Sequence, residues 1–78
     1  MPTAMRLGKY RFFFFSNEGN EPRHIHVESG NAYAKFWREP VDLAKSVGYK
    51  DNELAEIQRI IEDHRLFLKV RWDAHFGS

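Results

Sequence analysis

The sequence predicts an α+β fold: a mostly antiparallel β-sheet from N-terminal hairpins, with two C-terminal helices packed on it. Three observations carry this. Residues 4–38 run in short apolar–polar alternations broken by Gly8-Lys9, the polar stretch 16–22 and Gly30-Asn31, a pattern of strands and turns. Residues 52–76 change period: Leu54, Ile57, Ile61, His64, Leu68, Trp72 and His75 recur at three- and four-residue steps, as on one helix face. Between them, residues 40–47 fit a shorter helix, with Pro40 in its first turn and Gly48 after its last. The 78 residues are expected to form one domain, because so short a chain supports one small core.

Taken in order, Gly8-Lys9 can turn a two-residue hairpin between a strand at 4–7 and one at 10–16. That register sets Leu7 against Tyr10, Arg6 against Arg11 and Met5 against Phe12. The two arginines must then splay to solvent or share an anion, since like charges directly opposite repel. Gly30-Asn31 closes a second hairpin between strands at 23–29 and 32–38. Here His24 opposes Trp37, Ile25 opposes Phe36, His26 opposes Lys35, Val27 opposes Ala34 and Glu28 opposes Tyr33. For the last helix, Asp51 or Asn52 is the expected cap, Glu53 and Glu56 suit its positive end, and Gly77 stops it. Unbroken over 52–76 it would be about 37 Å long. That is too long for so small a domain, so a bend or an overhang used by a partner is expected.

The segment Glu21-Pro22-Arg23-His24-Ile25-His26-Val27-Glu28 is the most informative part of the chain. Side chains two apart on a strand share a face, about 7 Å between successive ones. His24, His26 and Glu28 therefore project together, and the hairpin adds Tyr33, Lys35 and Trp37 to the same face. Ile25, Val27, Ala34 and Phe36 form the opposite, apolar face. Imidazole titrates near neutrality and serves as general acid, general base or metal ligand.

Composition removes several classes. The chain has no cysteine, which excludes a disulfide framework and cysteine-type zinc sites. No apolar run approaches the roughly 18 residues of a membrane span, and the opening residues lack a signal-peptide pattern, so a cytoplasmic protein is expected. There is no glycine-rich phosphate loop, no Ser/His/Asp ordering and no zincin His-Glu pattern. Net charge is +1, but residues 1–38 carry six basic and three acidic residues while residues 39–78 carry six and eight. A first half at +3 hints at an anionic partner, short of a dedicated nucleic-acid binder.

Phe12-Phe13-Phe14-Phe15 cannot all enter one core, because a strand sends alternate rings to opposite faces. A strand apolar on both faces has both covered. The long helix can cover one; the other needs the short helix, a second copy of the chain or a different protein. Either the strand is sandwiched within its own domain, or it meets a partner; for the second reading Phe13, Phe15 and Trp72 are the expected interface residues, and a homo-oligomer or a small cognate protein the expected partner.

Three chemistries compete for the histidine face. As metal ligands, His24 and His26 would need a third from Glu28, His64 or His75, and Lys35 opposite His26 places an ammonium where a cation would sit. No metal or cofactor is expected. As proton-transfer groups on a phosphodiester, His24 and His26 would be catalytic, with Arg11, Arg23 and Lys35 holding phosphate and Tyr33 or Trp37 stacking a base. The bland alternative is a sheet face whose histidines only hydrogen-bond their neighbours.

The opening Met-Pro-Thr-x-Met-Arg-x-Gly-x-Tyr-Arg-Phe-x-Phe, the Ser16-Asn17-Glu18-Gly19 turn and Glu21-Pro22-Arg23-His24-Ile25-His26-Val27 resemble the bacterial family called domain of unknown function 4160. Ala34-Lys35-Phe36-Trp37, Pro40-Val41 and Trp72 continue the likeness over nearly the whole chain. The resemblance implies a small stand-alone protein, often encoded beside another small protein in a toxin–antitoxin-like pair. It assigns no activity, and marks the histidine pair only as the family's distinctive element. Together these readings predict one half of such a module, binding or cleaving RNA through His24 and His26. The rival reading is a non-catalytic interaction module, antitoxin-like or regulatory.

Overall fold

Both predicted hairpins form, in the predicted registers. The computed structural model describes residues 3–14, 22–38 and 40–77. Strand β1 (Thr3–Leu7) turns through Gly8, at φ +58°, into β2 (Tyr10–Phe13), with Leu7, Arg6 and Met5 opposite Tyr10, Arg11 and Phe12. Strand β3 (His24–Ser29) turns through Gly30, at φ +56°, into β4 (Ala32–Arg38), and all five expected cross-strand pairs are present. Both positive φ angles fall on glycine, where no Cβ penalises a left-handed turn. Strand β2 ends at Phe13. Its expected extension through residues 15 and 16, Phe15 included, lies outside the described residues.

The expected short helix at 40–47 is corrected to a fifth strand, β5 (Val41–Val47), paired antiparallel to β4. Strand order is β1-β2-β3-β4-β5, a plain meander. Seven residues make barely two helical turns, whereas pairing satisfies the backbone groups along the whole edge of β4. The register slips once, so that Leu43 opposes Phe36 and Lys45 opposes Lys35, leaving Ala44 as the extra residue of a bulge. Gly48 does not cap a helix. It takes φ +86° at the end of β5, where a Cβ would lie 3.2 Å from the Ala32 Cα.

The single helix expected over 52–76 is also corrected. It is two helices, α1 (Asp51–Asp63) and α2 (Arg65–Phe76), separated at His64. His64 leaves helical geometry at φ −113°, ψ 18°, while its Nδ1–H donates to the Ile60 carbonyl at 2.8 Å. The break is the expected bend: the molecule extends 34 × 22 × 21 Å, less in every direction than an unbroken rod of about 37 Å. The N-cap is Lys50, with Asp51 already helical, and Glu53 accepts the Lys50 backbone N–H at 2.9 Å. Gly77, at φ +76°, closes α2 as expected.

Both helices pack on the apolar face of the sheet. Phe12, Ile25, Val27, Ala34 and Phe36 meet Ile57 and Ile61 of α1 and Leu68 and Trp72 of α2, all buried. Each large side chain so buried stabilises the fold by about 1.5–3 kcal/mol before entropy is counted. Polar ties reinforce the arrangement. Tyr10 donates to Glu56 at 2.7 Å, Arg23 pairs with Asp73 at 2.8 Å, and Arg71 donates to the Thr3 carbonyl at 3.1 Å, binding α2 to the β1 edge. Among the described residues, no helix is long and apolar enough to cross a membrane.

Candidate functional site

The sheet registers assemble the second face row by row. One row runs Arg6, Arg11, Glu28, Tyr33, Val47; the next runs Thr3, Phe13, His26, Lys35, Lys45; a third holds His24, Trp37 and Asp42. Pleating alone does this, because residues paired across antiparallel strands share a face. The face expected to hold His24, His26, Glu28, Tyr33, Lys35 and Trp37 therefore exists, widened by β2 and β5.

Its interior is closed. His24 is 0% and His26 3% exposed. The two imidazoles meet edge to face at 5.1 Å between centroids, and His24 also lies 5.7 Å from Trp37 and 5.1 Å from Trp72. Phe13 stacks on one side of His26 at 5.3 Å and Tyr33 at 5.8 Å. His24 Nδ1–H donates to the Pro22 carbonyl at 2.9 Å, which in the neutral ring makes Nε2 the lone-pair nitrogen. His26 Nδ1 and the Tyr33 hydroxyl share a hydrogen bond of 2.6 Å. These contacts fix both rings. Both imidazoles are enclosed by aromatic rings, with almost no solvent access in this conformation.

The cations sit at the rim. Arg11 lies 4.6 Å over the Phe13 ring, and its guanidinium donates to Glu28 at 3.2 Å and to the Thr3 hydroxyl at 3.0 Å. Glu28 thus resolves the expected clash of Arg6 with Arg11. Lys35 lies 4.6 Å over the Trp37 ring. Both are cation–π arrangements, which hold a charged head flat against an aromatic plane. Arg23 pairs with Asp73 on α2 at 2.8 Å. Beside Trp37 a cleft of about 260 Å³ is lined by Pro22, Arg23, Trp37, Pro40 and Asp42. Among the described residues, no group of three His, Asp or Glu could hold a metal ion. His64 and His75, the more distant metal candidates, are engaged elsewhere: His64 at the helix break, His75 against Phe14 at 5.3 Å.

Of the expected interface residues, Phe13 and Trp72 are both 2% exposed, packed against His26 and against Phe14, His24 and Phe76 within the chain, and Phe15 lies outside the described residues. Among the described residues, the exposed large apolar side chains are Leu7 of β1, Leu43 and Val47 of β5, and Leu66, Phe67 and Val70 of α2. A signal was present. Residues 66–68 are apolar in succession, and Val70 stands opposite the Leu68–Trp72 stripe on a 3.6-residue wheel.

No curated protein and no solved structure matches the chain. The profile described as domain of unknown function, DUF4160, matches residues 10–73, which run from β2 into α2 and include His24, His26, Glu28, Tyr33, Lys35 and Trp37. On that match, the chain belongs to the DUF4160 family.

Proposed function

We propose that the protein is the non-catalytic half of a cytoplasmic two-protein module resembling toxin–antitoxin pairs, and that it grips its small cognate protein with the outer side of α2. The observation that carries this reading is that Leu66, Phe67 and Val70 are 71%, 48% and 58% exposed on one helix that already buries Leu68 and Trp72 on its other side. A helix apolar all round is one covered on both sides. Lys69 beside the patch is already paired with Asp73, and Glu62, Asp63 and Arg65 line a cleft with Leu66, so the matching surface is apolar with a mixed-charge border. The enclosed histidines support the same reading, since general acid–base groups must reach the proton they transfer. The test is co-expression with the neighbouring small protein. Leu66→Glu with Val70→Glu should abolish co-purification, and His24→Gln with His26→Gln should preserve it in a folded chain. The reverse pattern would sink the proposal.

A second reading is favoured by the two cation–aromatic pairs: the rim of Arg11, Tyr33, Lys35 and Trp37 binds single-stranded RNA. Stacking planes flanked by cations suit unpaired bases and their phosphates. Here Lys35→Glu should weaken binding of an oligoribonucleotide and flatten its salt dependence. An unchanged affinity refutes it.

A further inference from the structure

The outer edge of β5 is an open strand edge among the described residues, distinct from the outer side of α2. Among the described residues no strand pairs with it, and Asp42, Leu43, Ala44, Lys45 and Val47 are all exposed. An unpaired strand edge is a template for another strand unless something blocks it. Its charges are arranged oddly for an isolated chain. Lys45 lies directly opposite Lys35, a like-charge pair that is unfavourable on a sheet, and Asp42 lies opposite Trp37. Neither Asp42 nor Lys45 makes an ion pair among the described residues.

We propose that β5 pairs antiparallel with β5 of a second copy, about a two-fold axis between Leu43 and Ala44, joining two five-stranded sheets into one. In that register each Asp42 opposes the other copy's Lys45, and each Leu43 opposes the other copy's Ala44. The bulge makes the match. By placing one extra residue between them, it brings Asp42 and Lys45 to the same face, that of Trp37 and Lys35, although they are three apart in sequence. The two bulges then face each other across the axis, so neither shifts the pairing of the remainder. Each Lys45 gains a carboxylate beside its like-charged neighbour, twice per dimer by symmetry. Leu43, on the helix side, is covered at the same time.

Charge reversal of the full chain tests this, because both positions are exposed. By sedimentation velocity the wild type should be a dimer at high micromolar concentration. Asp42→Lys and Lys45→Asp should each weaken it about tenfold or more, since two symmetric attractions become repulsions. An equimolar mixture of the two single variants should restore the dimer, because one chain then carries two lysines and the other two aspartates at the facing positions. A monomeric wild type, a dimer indifferent to either substitution, or a mixture that stays monomeric overturns the proposal.

Discussion

Leu68 and Trp72 on the inner side of α2 are fully buried, whereas Leu66, Phe67 and Val70 on its outer side are exposed, although one twelve-residue helix carries all of them. The inner residues meet the sheet, Phe14 and His24; the outer ones meet solvent in the isolated chain. Residue type does not separate the two groups, as leucine occurs in both. What separates them is whether the fold supplies a partner. Inner apolar residues report on folding, and outer ones on the proposed binding.

The largest expected effect strikes the inner side. Trp72→Ala removes the ring that touches Phe14, His24 and Phe76, and should cost about 3–5 kcal/mol in urea unfolding, as large-to-small core changes do. That is much of the stability of a small domain. A loss under 1 kcal/mol would mean the inner side is not core, and the contrast within α2 would disappear.

A moderate effect is expected at the flank, where Asp73 joins α2 to the sheet. Lys69 first, and Arg23 second, hold the Asp73 carboxyl below its ordinary value of 3.8. The Lys50 backbone N–H, then Lys9, hold Glu53 below 4.5. A carboxyl with a depressed folded-state value stabilises above its unfolded value and loses that contribution as pH falls through the folded one. Stability should therefore be flat above 4.5 and decline through and below 3.8. Asp73→Asn should make the decline shallower. Denaturant midpoints between pH 2 and 6 check this; an identical acid limb in the variant removes Asp73 from the account.

The smallest effect on folding is expected on the outer side. Leu66→Glu and Val70→Glu should each change stability by no more than about 0.5 kcal/mol, as exposed substitutions generally do. The same changes should eliminate capture of the cognate protein. A large destabilisation would show that this side is already covered within the chain, and would transfer Leu66 and Val70 to the inner group.

Much of this architecture was legible because local chemistry and tertiary contacts agree. Gly8-Lys9 and Gly30-Asn31 specify two-residue turns, and a two-residue turn leaves one register, so the partners of His24, His26 and Glu28 followed from counting. The candidate site was legible only as a face. Alternation puts His24 and His26 on one side of the sheet but says nothing about what encloses them. Their burial against Phe13 and Trp72 depends on where β2 and α2 lie, and both are remote in sequence.

By itself the sequence determined the period-two strands, the glycine turns, the helical stripe from Leu54 to Trp72 and the company the histidines keep. Those are properties of backbone geometry acting over a few residues. Only the tertiary structure decided that residues 41–47 pair as a strand, because the deciding partner is the open edge of β4 and not any preference within Asp42-Leu43-Ala44-Lys45. It also decided that the long helix breaks at His64. With the break, Leu68 and Trp72 share one core with Ile57 and Ile61, and burying their apolar surface outweighs the hydrogen bonds lost at the bend.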